Sequence, residues 1–175
     1  AVLSSGVLAY LVDAVPNGRF TVVGSAASAP LFADTPGLDR LIVLDRETNF
    51  EWIALWNQVR DTKWGLIVDM RGSTLSGKLR RHKRAVRGKD QPGLHAVVQA
   101  ANVLHLDAPE PPRLFFAPET RDIADGVVRP DQRPILAVGP GADWIGKRWP
   151  GDRYSRVASA LLADTGPLAG GRLMI

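Results

Sequence analysis

Two stretches of this chain carry residue types and spacings suited to holding a negatively charged ligand. In residues 135–154 an apolar run leads into Gly139-Pro140-Gly141-Ala142, then Lys147-Arg148-Trp149-Pro150, then a segment of helical spacing. Proline suits a helix's first turn, where its missing N–H is not needed. Pro150 therefore marks a helix start, with Lys147 just outside its positive, amide-rich end. That arrangement suits a diphosphate. It is not the dinucleotide fingerprint, because Trp144 stands where the third glycine after Gly139 and Gly141 should be. For the Trp149 ring alone, packing at a helix entrance is an equally good account.

The second stretch, Asp69-Met-Arg-Gly-Ser-Thr-Leu-Ser-Gly-Lys78, follows an apolar run, and its residues 72–78 have the G-x-x-x-x-G-K spacing of a phosphate-cradling loop. Position 79 is Leu, however, where such a loop needs a hydroxyl to hold magnesium. Two readings remain: a loop whose free amides face an anion at a strand's carboxyl end, or a plain turn before a helix. Residues 78–89 then concentrate basic side chains (Lys78, Arg80, Arg81, Lys83, Arg84, Arg87, Lys89) without an aromatic ring to stack on bases. Nucleic acid is thereby disfavoured. A solvated face, an anionic substrate or an anionic membrane surface all fit.

These residues need a scaffold, and the composition supplies one. The chain has 175 residues, 45% of them hydrophobic, with 22 basic against 18 acidic side chains, which is enough for one full domain and part of another. It lacks cysteine, so disulfides, thiol nucleophiles and Cys-based zinc sites are excluded. With histidine only at 82, 95 and 105, and no carboxylate pair spaced like a metal site, no metal and no cofactor are expected. No apolar run approaches the roughly 18 residues of a membrane helix, and the start lacks signal-peptide features. A soluble protein is expected.

Short apolar runs at 20–23, 41–44, 66–68, 114–116, 135–138 and 173–175 read as strands. Between most of them lie amphipathic segments, with apolar faces on Leu3 to Ala14, Trp52 to Val59, Leu94 to Leu104 and Tyr154 to Leu162. Strands apolar at consecutive positions are buried on both faces, so this alternation predicts an α/β fold with a parallel sheet. Residues 117–126 read as a further helix and 129–134, with two prolines, as a linker. The expected domains are 1–131 and 132–175. Ala1 opens directly into a helix and residues 172–175 stop inside an apparent strand, so the chain reads as a fragment of a longer protein.

Taken in order, these motifs resemble the bacterial glycosyltransferase family 9 heptosyltransferases. Pro140-Gly-Ala142 with Lys147-Arg-Trp-Pro150 is similar to that family's donor-site signature. Asp69-x-x-Gly72-x-x-x-Ser76 is similar to its acceptor-side loop, and Ala1-Val-Leu-Ser-Ser-Gly6 to its first helix. The resemblance implies a GT-B fold of two Rossmann-like lobes, the second truncated here. It implies inverting, metal-independent transfer of heptose from ADP-heptose to a phosphorylated inner core of lipopolysaccharide, at the cytoplasmic face of the inner membrane with peripheral association.

By the same resemblance, Pro140, Gly141, Ala142, Lys147, Arg148 and Trp149 would bind the donor, Lys147 stabilising the departing diphosphate. Asp69, Arg71, Gly72, Ser73, Ser76, Lys78, Arg80 and Arg81 would face the acceptor. The family's general base, the Asp of a Gly-Asp pair, would fall just before Ala1, so the fragment by itself should be inactive. Two rivals from other classes stand beside this: a nucleotide-binding enzyme using residues 72–78, and a non-catalytic α/β domain docking an acidic partner.

Overall fold

The computed structural model describes residues 1–44, 49–128, 131–142 and 144–175. Arg129 and Pro130 of the expected linker, and Asp143 after the Gly-Pro-Gly loop, lie outside the described residues. The chain forms two compact units, Ala1–Ala117 and Pro118–Ile175. Both are mixed α/β structures built on small parallel sheets.

The first unit runs α1 (Ser5–Ala14), β1 (Phe20–Gly24), β2 (Leu38–Val43), α2 (Asn49–Val59), β3 (Trp64–Asp69), α3 (Thr74–Lys78), β4 (Arg81–Val86) and α4 (Ala96–Ala101). β1 pairs with β2 and β3 with β4, both parallel. Ile42, Leu44, Leu55, Val59 and Leu79 form a buried cluster in it, with Trp52, Trp56, Trp64, Ile67 and Leu75 packed around them. Leu55 and Val59 are one helical turn apart, so α2 gives a single face to this core. Arg40 ties β2 to the end of α2 and the start of β3: its guanidinium donates to the Gln58 carbonyl over 2.7 Å and lies 5.6 Å from the Trp64 ring centre.

The start of α1 is held by a distant segment. Ser5, almost fully buried, accepts the Arg113 amide at 2.9 Å, and the Arg113 guanidinium donates to the Ala9 carbonyl and to Asp13. A β-carbon on Gly6 would stand only 2.5 Å from the Glu110 carbonyl oxygen, so glycine is what allows this close approach.

The second unit runs α5 (Pro118–Val128), β5 (Ile135–Ala137), α6 (Gly151–Leu162) and β6 (Arg172–Met174), with β5 and β6 parallel. Arg172 donates to the Val128 carbonyl at 2.7 Å and lies 3.5 Å from Asp131, joining the end of α5 to β6.

Five strands fall on the expected apolar runs, and two expectations are corrected. Residues 114–116 form no strand. The segment's flanking amides are drawn to side chains instead, Arg113 to Ser5 and Ala117 to the Asp34 carboxylate at 2.9 Å, and prolines at 111, 112 and 118 remove further ladder donors. The basic run contains an unanticipated strand, β4, whose first three residues are exposed. Its charges hide it from a hydrophobicity reading because the strand is held by backbone pairing to β3 rather than by burial of those residues. Among the described residues the strands pair as three separate two-stranded sheets.

Candidate functional site

The loop after β3 is organised around one carboxylate. Asp69 ends the strand with its side chain 6% exposed. Its Oδ1 accepts the amides of Arg71 at 3.0 Å and Gly72 at 2.9 Å; its Oδ2 accepts the hydroxyls of Ser73, at 3.1 Å, and Ser76. Ser73 caps α3, its hydroxyl accepting the Ser76 amide. Gly72 adopts φ +70, a left-handed turn that glycine makes without steric cost. Burial alone would push the Asp69 carboxyl's pKa up. The Ser76 hydroxyl, the Arg71 amide, the Ser73 hydroxyl and the Gly72 amide oppose it and together prevail, holding the group below its ordinary 3.8.

β4 completes the cluster. Arg84 donates from Nε to the Ser76 hydroxyl at 3.0 Å and from Nη2 to the Ser73 carbonyl at 3.4 Å, and Nη2 lies 3.8 Å from Asp69. Arg81 donates to the carbonyls of Gly77 at 2.9 Å and Leu79 at 2.8 Å, covering the carboxyl end of α3. Arg71, Gly72 and Lys78 are exposed on this loop and helix, and Arg80 is exposed just before β4.

This geometry commits part of the phosphate-loop stretch. The amides of Arg71, Gly72 and Ser76 already bond to Asp69 and Ser73, so they are not free to cradle an anion. Asp69 is equally committed. With both oxygens engaged it organises the loop and has no lone pair directed at an incoming hydroxyl proton.

In the second unit, the loop after β5 folds back on itself. Arg148 donates from Nε to the Ala142 carbonyl at 2.8 Å, clasping Gly139 to Ala142 against the short 3₁₀ turn Ile145–Lys147. The Trp144 ring lies over Gly146, where a β-carbon would be 2.5 Å away. Trp149 packs edge-on against Tyr154, ring centres 5.0 Å apart, as its helix-entrance reading requires. Pro150 is the residue before α6, and no side chain caps that helix. Pro140, Gly141, Lys147, Arg148 and Trp149 are all exposed.

The structure thus gathers Asp69, Arg71, Gly72, Ser73 and Ser76 in one loop, and Ala142 with Arg148 in another. Arg84 belongs to the first cluster although it was undistinguished among the basic residues around it. Its only sequence signal is the apolar Ala85-Val86 that follows, which hints at a strand. Among the described residues no three His, Asp or Glu side chains come together as a metal site would need, and no helix is long and apolar enough to cross a membrane.

No family profile matches this chain, and no curated protein matches it either. A solved structure does. The fold is similar to that of a glycosyl transferase family 9 protein from Veillonella parvula DSM 2008, with a TM-score of 0.67 and 20% sequence identity over 90% of this chain. The chain spans 54% of the length of that structure. At this identity the likeness establishes a shared fold.

Proposed function

We propose that this chain is part of a glycosyltransferase of the GT-B type, related to family 9. On this reading residues 1–131 belong to an acceptor-side lobe and 132–175 begin a Rossmann-like lobe for the nucleotide sugar. The observation that carries it is the fold likeness over 90% of the chain.

In an inverting transfer, the acceptor oxygen attacks the anomeric carbon while the bond to the diphosphate breaks. The acceptor proton passes to a base, and the diphosphate departs with increased negative charge. Lys147 supplies a compact cation for that charge, beside Pro140, Gly141, Ala142, Arg148 and Trp149 as donor-binding residues. Arg71, Gly72, Ser73, Lys78, Arg80 and Arg81 form the acceptor side, with Asp69 and Ser76 holding it in shape. The donor we infer is ADP-heptose and the acceptor a phosphorylated lipopolysaccharide core. The reaction needs no metal and takes place at the cytoplasmic membrane face.

Incubating the complete protein with ADP-heptose and a core acceptor, and measuring ADP release together with the mass gain of the acceptor, tests this. Turnover with a different nucleotide sugar would retain the enzyme class and replace the donor. Turnover with none would overturn the reading.

A further inference from the structure

The loop after β5 holds one large side chain that no role has yet claimed. Trp144 is 63% exposed, although an indole is among the costliest apolar surfaces to leave in water. Trp149, further along the same loop, is 41% exposed and packs against Tyr154. The two tryptophans therefore differ: one is packed at the helix entrance and the other is displayed.

Trp144 is displayed in a fixed orientation. A β-carbon on Gly146 would lie 2.5 Å from its Cη2 and 2.7 Å from Cζ2 and Cζ3. Distances so nearly equal put that point above the ring plane, since an approach from the rim would leave the two flanking atoms much farther off. One face of the indole thus rests on the glycine backbone, and the other is open. The turn beneath the ring is tied down. The Lys147 amide donates to the Trp144 carbonyl at 2.9 Å, the Arg148 amide to the Ile145 carbonyl at 3.1 Å, and Arg148 Nε to the Ala142 carbonyl at 2.8 Å.

The platform follows the carboxyl end of a parallel strand, where open α/β sheets bind ligands, and it is one short turn from the exposed Lys147. An open aromatic face beside a cation matches a ligand in which a ring with an apolar face is joined to an anion.

We propose that the open face of Trp144 is the platform for the transferred sugar ring, an inference that rests on the reading of residues 140–149 as the donor loop. The phosphate beside Lys147 is bonded directly to that sugar, whereas the nucleobase lies a ribose and a further phosphate away. The ring nearest the cation is therefore the sugar. A pyranose presents C–H groups on one face, and these pack on an indole as other apolar surfaces do. When the bond from the anomeric carbon to the diphosphate breaks, the electron pair leaves with the diphosphate and positive charge develops on the sugar ring. The acceptor oxygen then completes its bond to that carbon and gives its proton to the base. The negative face of the indole attracts the developing charge, so Trp144 contributes more in the transition state than on binding.

The test compares the complete enzyme with its Trp144→Leu, Trp144→Phe and Gly146→Ala variants. Transfer from ADP-heptose is followed by ADP release, and affinities for ADP-heptose and for ADP are measured by calorimetry. Trp144→Leu should lower kcat about 30-fold, with ADP affinity and thermal midpoint unchanged. Trp144→Phe should recover most of that loss, because a phenyl ring also has a negative face. Gly146→Ala should reproduce the loss with the indole still present, because the added methyl lifts the ring. Wild-type turnover in Trp144→Leu, or equal losses of affinity for ADP and ADP-heptose, would overturn the platform and leave the glycosyltransferase reading standing. Absence of transfer by the wild type would remove that reading; the platform would then be upheld by a preference for ADP-heptose over ADP that Trp144→Leu abolishes, and overturned by equal affinities.

Discussion

The Nε of Arg84 on β4 donates to the hydroxyl of Ser76 in α3 across 3.0 Å. Ser76 in turn donates to the buried Asp69 carboxylate at the end of β3. A basic residue from a strand whose first residues are exposed is thereby joined to the candidate acceptor loop. Arg84→Met should speed hydrogen exchange at the Arg71 and Gly72 amides. Arg84→Lys should restore the exchange rates only in part, because an ammonium cannot reach Ser76 and the Ser73 carbonyl as a guanidinium does. Unchanged exchange in both variants would remove Arg84 from the cluster.

Asp69 gives the fold a specific acid sensitivity. Its folded pKa lies below 3.8, so its stabilising contribution is complete above that value and is lost as pH falls through the lower, folded value. At pH 7, Asp69→Asn should cost about 1 to 3 kcal/mol, since the amide has one acceptor oxygen where the carboxylate has two. Urea unfolding from pH 7 down to pH 2 should show the gap between wild type and variant narrowing below about pH 4. A gap independent of pH would mean the charge is immaterial.

Gly6 is required by packing. Gly6→Ala should destabilise the first unit by about 1 to 3 kcal/mol, because the added methyl meets backbone carbonyls that cannot rotate away. A thermal midpoint equal to that of wild type would show that the 110–111 segment can move aside.

Lys147 and Trp149 should differ in their effect on stability. Lys147→Ala should reduce sugar transfer by roughly 100-fold in the complete enzyme with its melting unchanged. Trp149→Ala should cost about 0.5 to 1.5 kcal/mol of stability through loss of its contact with Tyr154. Near wild-type turnover after Lys147→Ala would leave that lysine as an ordinary surface charge.

The basic strand makes an internal contrast. Arg81→Gln should lower stability, because the arginine covers the last carbonyls of α3. Arg80→Gln with Lys83→Gln should leave stability intact and make acceptor binding weaker and less dependent on salt. Equal stability losses in the two variants would argue against distinct roles.

The amino-acid sequence by itself determined the α/β class, five of the six strands among the described residues, the helix entering after Pro150 and the loop built on Asp69, Gly72 and Ser76. Each of these is local: hydrophobic periodicity, a proline's fixed φ and a glycine's freedom act within a few residues. Only the tertiary structure decided that β4 is a strand, that 114–116 is not, and that the Arg71 and Gly72 amides turn inward to Asp69. Those outcomes depend on partners far along the chain. β4 needs β3, the Arg113 amide is captured by Ser5 more than a hundred residues away, and the amides of Arg71 and Gly72 are taken by a buried carboxylate. A buried polar group must find a partner wherever the fold brings one, and that demand leaves no periodic trace in the sequence.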